Sequence, residues 1–453
     1  MSRPLLFDDE ALNALHSKPI TEVSVEELSL FFNKGEKPRD KWLLGLEIEL
    51  FAHDNQSGNP LEFERLQAIL EKVNEIKKWT EETDPNGGLV GLMGEGQLVS
   101  LEPGGQLEYA SAPYRSLREL RRSLTEFVGL LSQATTQMNG RLLAMGQQAH
   151  ATVETIPKMP KNRYDVMRGY LPDHGALALD MMHLTGSMQC AVDFSSETNM
   201  ADKIRTAARV SPFLAALAAA SPFTDGKPNG FKSRRYEIWL HTDNTRCGIW
   251  PEMLDETGLS YARYIERALR TPAMLFLRNG RFCQAERIPF AEYAKLGFED
   301  TVITVEDFLL HLTSLFPEVR PKTYVELRGA DCAPPLESLA IAGFWRGLLD
   351  DEDTRQAADE RLSSLTFEDL KQLQKDVARV GLEAKSPIGE VGEIIKGLVE
   401  SSYNRMEKSA PDCAECILPI LKRAHRKKSL ADDMLEKAAT SSVDEAIKLC
   451  QVH

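Results

Sequence analysis

Long apolar runs are missing from this sequence. The longest nearly uncharged stretch, residues 213–220 with its flanks, falls short of the roughly 20 residues that a membrane-spanning helix needs. Positive charge is also in deficit, with 54 Lys and Arg against 68 Asp and Glu and a net charge of -14. A field of that sign opposes nonspecific nucleic-acid binding, although a local basic pocket can still hold phosphate. The seven cysteines, at 190, 247, 283, 332, 413, 416 and 450, are odd in number and scattered, which argues for reduced thiols over a disulfide framework. Cys413 and Cys416 form the one Cys-x-x-Cys, and no second pair follows at zinc-ribbon spacing, so the pair reads as structural or incidental. Neither Gly-x-x-x-x-Gly-Lys-Ser/Thr nor a strand followed by Gly-x-Gly-x-x-Gly occurs, which leaves the P-loop and Rossmann nucleotide folds unsupported. The first ten residues turn acidic without a signal-peptide core. These absences predict a cytoplasmic protein with neither a membrane nor a nucleic-acid partner.

What the chain does contain is carboxylates on strands. In Gly-Leu-Glu-Ile-Glu-Leu, residues 45–50, alternation places Glu47 and Glu49 on one face and Leu46, Ile48 and Leu50 on the other. Two like charges on one face repel, and a hard divalent cation with oxygen ligands would offset that; a wet edge strand is the other reading. Residues 100–109, Ser-Leu-Glu-Pro-Gly-Gly-Gln-Leu-Glu-Tyr, make a tight turn with Glu102 at its mouth and Glu108 on the exit strand, opposite in facing to Leu107. Near the end of the strand-rich part, residues 323–328 place Glu326 and Arg328 on one face, as a structural ion pair or as part of a site for metal and anion together.

Around these lie helices predicted over 61–79, 116–139 (Ser116 and Glu119 forming a capping box), 199–220, 260–269 and 305–315. Short strands are expected at 89–93, 97–101, 141–146, 274–277 and 281–283, and 182–194 reads as one buried strand. Lys158, Lys161 and Arg163 form a basic island that either faces an anion or is simply solvated. The loop 221–230, Ser-Pro-Phe-Thr-Asp-Gly-Lys-Pro-Asn-Gly, has a composition that lets backbone amides and Lys227 approach a phosphate, and Arg234, Arg235 and Arg246 follow around Trp239. From about 334 the pattern is almost entirely helical. A boundary near 350–353 would divide a catalytic body, 1–350, from a helical subdomain, 351–453.

Taken together these stretches resemble the glutamate-cysteine ligases of plant and proteobacterial type, in the carboxylate-amine ligase superfamily. The marks are Gly-Leu-Glu-Ile-Glu (45–49), Leu-Glu-Pro-Gly-Gly-Gln-Leu-Glu (101–108), Met-Pro-Lys-Asn-Arg-Tyr (159–164), the 221–230 loop, His-Leu-Thr-Ser-Leu-Phe-Pro-Glu-Val-Arg (311–320) and Tyr-Val-Glu-Leu-Arg-Gly-Ala-Asp (324–331). The resemblance implies an α+β fold like the catalytic domain of glutamine synthetase: an antiparallel sheet shaped as a funnel, surrounded by helices. It implies Glu47, Glu49, Glu102, Glu108 and Glu326 as ligands of about two or three Mg²⁺ ions. ATP, glutamate and cysteine would be the substrates, joined through an acyl phosphate in a monomer or homodimer. It further implies Arg235, Lys227 and Arg328 as catalytic residues, and Arg246, Lys161 and Arg163 beside them as substrate or ATP contacts.

One stretch departs from that pattern. Where relatives read Met-Met-Leu-Arg-Thr-Cys-Thr-Val-Gln-Val-Asn-Leu-Asp, residues 181–193 read Met-Met-His-Leu-Thr-Gly-Ser-Met-Gln-Cys-Ala-Val-Asp. Leu184 replaces an arginine expected on substrate carboxylate, and Ala191 replaces an asparagine. His183 stands beside Leu184 but would face the other way on a strand. The expected activity is therefore ATP-dependent formation of γ-glutamylcysteine. The alternatives are the same chemistry on another amino-acid pair, and a silent ligand-binding homologue.

Overall fold

In the computed structural model, which describes residues 10–452, ten strands form one sheet with antiparallel pairing throughout. In chain order they are β1 (Leu44–Asp54), β2 (Thr80–Thr83), β3 (Leu89–Gly94), β4 (Gln97–Leu101), β5 (Leu107–Ala110), β6 (Gly140–Leu143), β7 (Ser187–Val192), β8 (Val319–Pro321), β9 (Val325–Asp331) and β10 (Gln451–Val452). Their spatial order is β8-β9-β7-β1-β5-β4-β3-β2, and β6 continues along β1 and carries β10 on its outer edge. The acidic strand is thus central. The first half of β1 pairs with β7 and β5, and its second half, Phe51 to Asp54, pairs with β6.

Alternation sorts the two faces. Leu44, Leu46, Ile48 and Leu50 of β1 are fully buried, as are Val99, Leu101, Leu107 and Tyr109 of the neighbouring strands. Helices Leu117–Gln137 and Pro335–Leu349 pack behind β1, and helix Glu197–Leu217 packs behind β8 and β9. At about 25 cal/mol per Å² of apolar surface removed from water, this layer is the main stabiliser of the sheet. The opposite face keeps polar alternate positions and closes over cavities.

The Ser116 and Glu119 capping box starts the first of those helices as its sequence dictates. Residues 182–194, by contrast, are not one strand. Ala178–Leu184 is helical, and β7 begins only at Ser187. Every residue from Met181 to Cys190 is buried, across the end of the helix and the start of the strand, so no periodicity separates them. His183 and Leu184 therefore lie at a helix end.

Beyond 350 the helices Glu352–Leu362, Phe367–Val380 and Val391–Ser409 wrap around helices 197–217 and 335–349. One apolar cluster includes Leu348, Leu373, Ile395 and Val452 together. Cys413 and Cys416 are buried free thiols. No helix among the described residues is long and apolar enough to cross a membrane.

Candidate active site: a carboxylate belt facing a cation wall

The polar face of the sheet is ordered in rows across the strands. Glu49 of β1 stands directly opposite Glu108 of β5, which stands opposite Ser100 of β4. One step along β1, Glu47 pairs with Ala110 on one side and Gln189 on the other, and a further step sets Gly45 beside Ala191, itself opposite Glu326. Two cavities follow these rows end to end. The smaller, about 290 Å³, is lined by Glu47, Glu49, Glu102, Glu108 and Glu326 together with Arg163, Arg235, Arg320, Lys322 and Arg328. The larger, about 680 Å³, begins at Gly45, Ala191 and Asp193 and extends to Lys34, Lys37 and Tyr324. Glu47, Gln189 and Glu326 line both.

The turn that carries Glu102 is held from several sides. Tyr164 donates its hydroxyl to the Leu101 carbonyl at 3.0 Å and to Glu102 at 3.2 Å. Gln106 accepts from the Gly104 amide at 2.9 Å and donates to the Thr185 carbonyl at 2.8 Å. Gly105 turns the chain at φ +78°, where only glycine is unstrained, and a Cβ on Gly104 would lie 2.0 Å from the His183 carbonyl oxygen. Gly104→Ala is therefore expected to cost about 1–3 kcal/mol in chemical denaturation and to displace Glu102. Wild-type stability with full activity would refute this account of the turn.

Charge is segregated across the smaller cavity. Glu47, Glu49, Glu102 and Glu108 form a belt over β1, β5 and the turn. Burial, with repulsion from Glu102, pushes Glu49 up to about 7. Burial first, and then Glu102, Glu47 and Glu49, pushes Glu108 well above the usual carboxylate range, and burial with Glu326 nearby raises Glu47. On the other wall Glu326 accepts from Arg320 Nε at 2.6 Å, Lys322 Nζ at 2.6 Å and Arg328 Nη1 at 3.0 Å. Those three cations outweigh its burial and hold its carboxyl well below the usual range.

A bulge explains how Arg235 reaches this wall. The β7–β9 register shifts between Leu327 and Ala330, which frees the carbonyls of Arg328 and Gly329. Arg235 donates to them at 2.9 and 3.4 Å, from the helix Arg234–Leu240 capped by Ser233. Asp331 anchors that segment by accepting from Ala220 N, Ser221 Oγ and Ser233 Oγ. Arg235 lines the cavity, and its buried Nε has no partner among the described residues. Arg163 donates to Thr313 Oγ1 at 2.8 Å.

Among the residues expected in the site, Glu47, Glu49, Glu102, Glu108, Glu326, Arg163, Arg235 and Arg328 line one cavity. Three others are placed elsewhere. Arg246 is wholly buried, paired with Asp243 at 2.8 Å and bonded to the Ser314 and Pro272 carbonyls, so it ties loops together. Lys227 is exposed on the hairpin Phe223–Thr224/Lys227–Pro228 and lines neither cavity. Lys161 stands over the Tyr164 ring at 5.4 Å, outside both linings. Arg320, Lys322 and Gln189 went unanticipated, although Glu318, Arg320 and Lys322 alternate in the strand manner that gives them away.

The donor set fits hard cations. Four carboxylates line one cavity, and burial together with their neighbours raises the proton affinity of Glu49 and Glu108; such oxygens are the ligands Mg²⁺ takes. Both Glu326 oxygens are engaged by cations in this arrangement, and among the described residues no three acidic, His or Cys side chains converge as a finished metal site.

Known proteins share the sequence pattern and the fold of this chain. Residues 43–450 match the model of glutamate-cysteine ligase family 2. Glutamate–cysteine ligase B, chloroplastic, of Oryza sativa subsp. japonica is 34% identical over 395 residues, covering 86% of this chain and 79% of the rice protein. The chloroplastic glutamate–cysteine ligase of Brassica juncea is also 34% identical, over 86% of this chain and 76% of its own. The fold is similar to the crystal structure of glutamate–cysteine ligase from Francisella tularensis in complex with AMP, with a TM-score of 0.56, 13% identity, and coverage of 92% of this chain and 88% of that one. The chain belongs to glutamate-cysteine ligase family 2.

Proposed function

We propose that the chain joins the γ-carboxylate of glutamate to the amine of cysteine at the expense of ATP, giving γ-glutamylcysteine. The observation that carries this reading is the belt of four glutamates facing five cations where two cavities meet. The larger cavity, with Lys34 and Lys37 on its wall, takes the nucleotide, and the smaller takes the amino acids. The triphosphate then passes the Glu47–Gln189–Glu326 junction. There the glutamate γ-carboxylate attacks the γ-phosphorus and ADP leaves. The cysteine amine next attacks the acyl carbon of the acyl phosphate, phosphate departs with the bonding pair, and the amine gives up a proton. Arg320, Lys322 and Arg328 face the charge that develops on the transferred phosphoryl group, and Arg163 and Arg235 orient the donor carboxylate. Bound to Glu47, Glu49, Glu102 and Glu108, Mg²⁺ would neutralise the triphosphate. The free, mostly buried thiols suit a reducing compartment, the cytoplasm.

A second reading keeps the chemistry and changes the amino-acid pair. It rests on Leu184, which sits in an apolar cluster with Ala151 and Ile156 and supplies no cation to a substrate carboxylate. Purified protein with Mg-ATP and a panel of amino acids decides between them. Phosphate release that needs both glutamate and cysteine supports the first reading, release with a different pair supports the second, and none with any pair refutes both.

Metal removal carries its own pH signature. Folding raises the Glu49 carboxyl from its ordinary 4.5 to about 7, so between those values the folded chain holds a proton that the unfolded chain has released. Stability without Mg²⁺ should fall as pH rises through that window. Mg²⁺ binds the ionised form, so the Tm gain on adding it should be larger at pH 8 than at pH 5.5, and a gain independent of pH would contradict carboxylate ligation.

A further inference from the structure

A third cavity, of about 240 Å³, shares no lining residue with the two described. It opens where the Arg39–Trp42 segment meets the start of helix Leu117–Gln137 and the ends of helices Pro335–Leu349 and Val391–Ser409. Arg39, Arg115, Arg346 and Arg405 line it, against Asp350 and Asp351. Each carboxylate is already shared. Asp351 lies 2.8 Å from Arg405 and 3.6 Å from Arg39, and Asp350 lies 2.8 Å from the buried Lys203 and 3.7 Å from Arg346. Four guanidiniums thus line the cavity against two carboxylates, one of which also pairs with the buried Lys203, in a protein whose net charge is -14.

Arg346 adds a second observation. Its Nη1 is shielded from solvent and has no hydrogen-bond partner among the described residues. A guanidinium cannot shed its charge, and buried donors are ordinarily satisfied, so an open one marks a place for an acceptor. Two helix C-termini also reach the cavity, but each contributes only about half a negative charge, and the N-terminus of helix Leu117–Gln137 offsets one of them. The volume is below the roughly 300 Å³ at which pockets for drug-sized ligands begin.

We infer that this cavity binds a small multivalent oxyanion of the phosphate class, apart from the active site. Trigonal or tetrahedral oxyanions match the forked donors of the arginines, and the charge excess is local enough to resist screening in part. Asp350 links the site through Lys203 to the Asp193 carbonyl, 2.6 Å from Lys203 Nζ, and Asp193 lines the larger cavity.

The test is calorimetric titration of the full chain, free of Mg²⁺, with pyrophosphate. The wild-type isotherm should contain a binding event that weakens at least tenfold in Arg346→Met and in Arg115→Met, while ligase activity with saturating substrates stays within about twofold of wild type. Events assigned to the funnel's cations should persist in both variants. Isotherms for both variants that superimpose on wild type would overturn the assignment. If Arg346→Met misfolds, Arg115→Met decides alone, because that side chain is exposed and its bond is to the Asp40 carbonyl.

Discussion

Glu47→Gln should lower kcat for ATP-dependent ligation about a thousandfold and leave Tm unchanged or slightly raised. Glu47 lines both cavities, on the row between the Glu49–Glu108 pair and the Gly45–Ala191–Glu326 row. In the proposed reaction the triphosphate crosses from one cavity to the other at that junction. Metal-held charge stabilises phosphoryl transfer by several kcal/mol, and each 1.36 kcal/mol is tenfold in rate. The folded state loses little by the change. Burial and Glu326 already disfavour the Glu47 charge, and glutamine keeps the side-chain volume. Activity within tenfold of wild type, with Mg²⁺ saturating, would remove Glu47 from the metal set. A large drop in Tm would instead mean that the belt is structural.

How far the residues themselves disclosed this arrangement depended on whether a local pattern carried the information. Period-two alternation in 45–50 and 323–328 sufficed to put Glu47, Glu49, Glu326 and Arg328 on particular faces, because one side of the sheet is apolar and register is fixed by it. The same rule applied to 318–322 would have exposed Arg320 and Lys322. Pro321 and the shortness of β8 hid the strand.

Where burial was uniform the pattern failed. In 182–194 every residue up to Cys190 is buried, and the break between helix and strand falls at Gly186, where a Cβ would meet the Met145 carbonyl at 2.8 Å. The arginines could not be separated by type alone. Arg246 has Asp243 three residues before it, and that pair locks it into the interior. Arg235 found its place through a bulge in β9, a tertiary feature. Lys227 follows Asp225 and Gly226, both at positive φ, so the loop closes as a tight hairpin with its lysine in solvent rather than as a phosphate cradle.

Arg235→Ala should raise KM for the donor amino acid about a hundredfold and change KM for ATP by less than about threefold. The asymmetry follows from placement, since Arg235 lines the smaller cavity and not the larger. Each terminal nitrogen gives one N–H to the Arg328 and Gly329 carbonyls, which fixes the guanidinium plane, and the buried Nε has no partner among the described residues. A charged hydrogen bond to a carboxylate contributes about 1.5–3 kcal/mol, and an aligned cation adds to it, hence the expected scale. Lysine at this position should not restore binding. A single ammonium cannot hold two carbonyls and a carboxylate in one plane, and burial disfavours its charge. Because the bulge carbonyls and Asp331 lose a partner, some stability is lost as well, so the measurement should be initial rates below the variant's own unfolding range. Equal rises in both KM values would place Arg235 on the nucleotide or make it a purely structural strut. A donor effect alone, with kcat little changed, would identify the carboxylate contact.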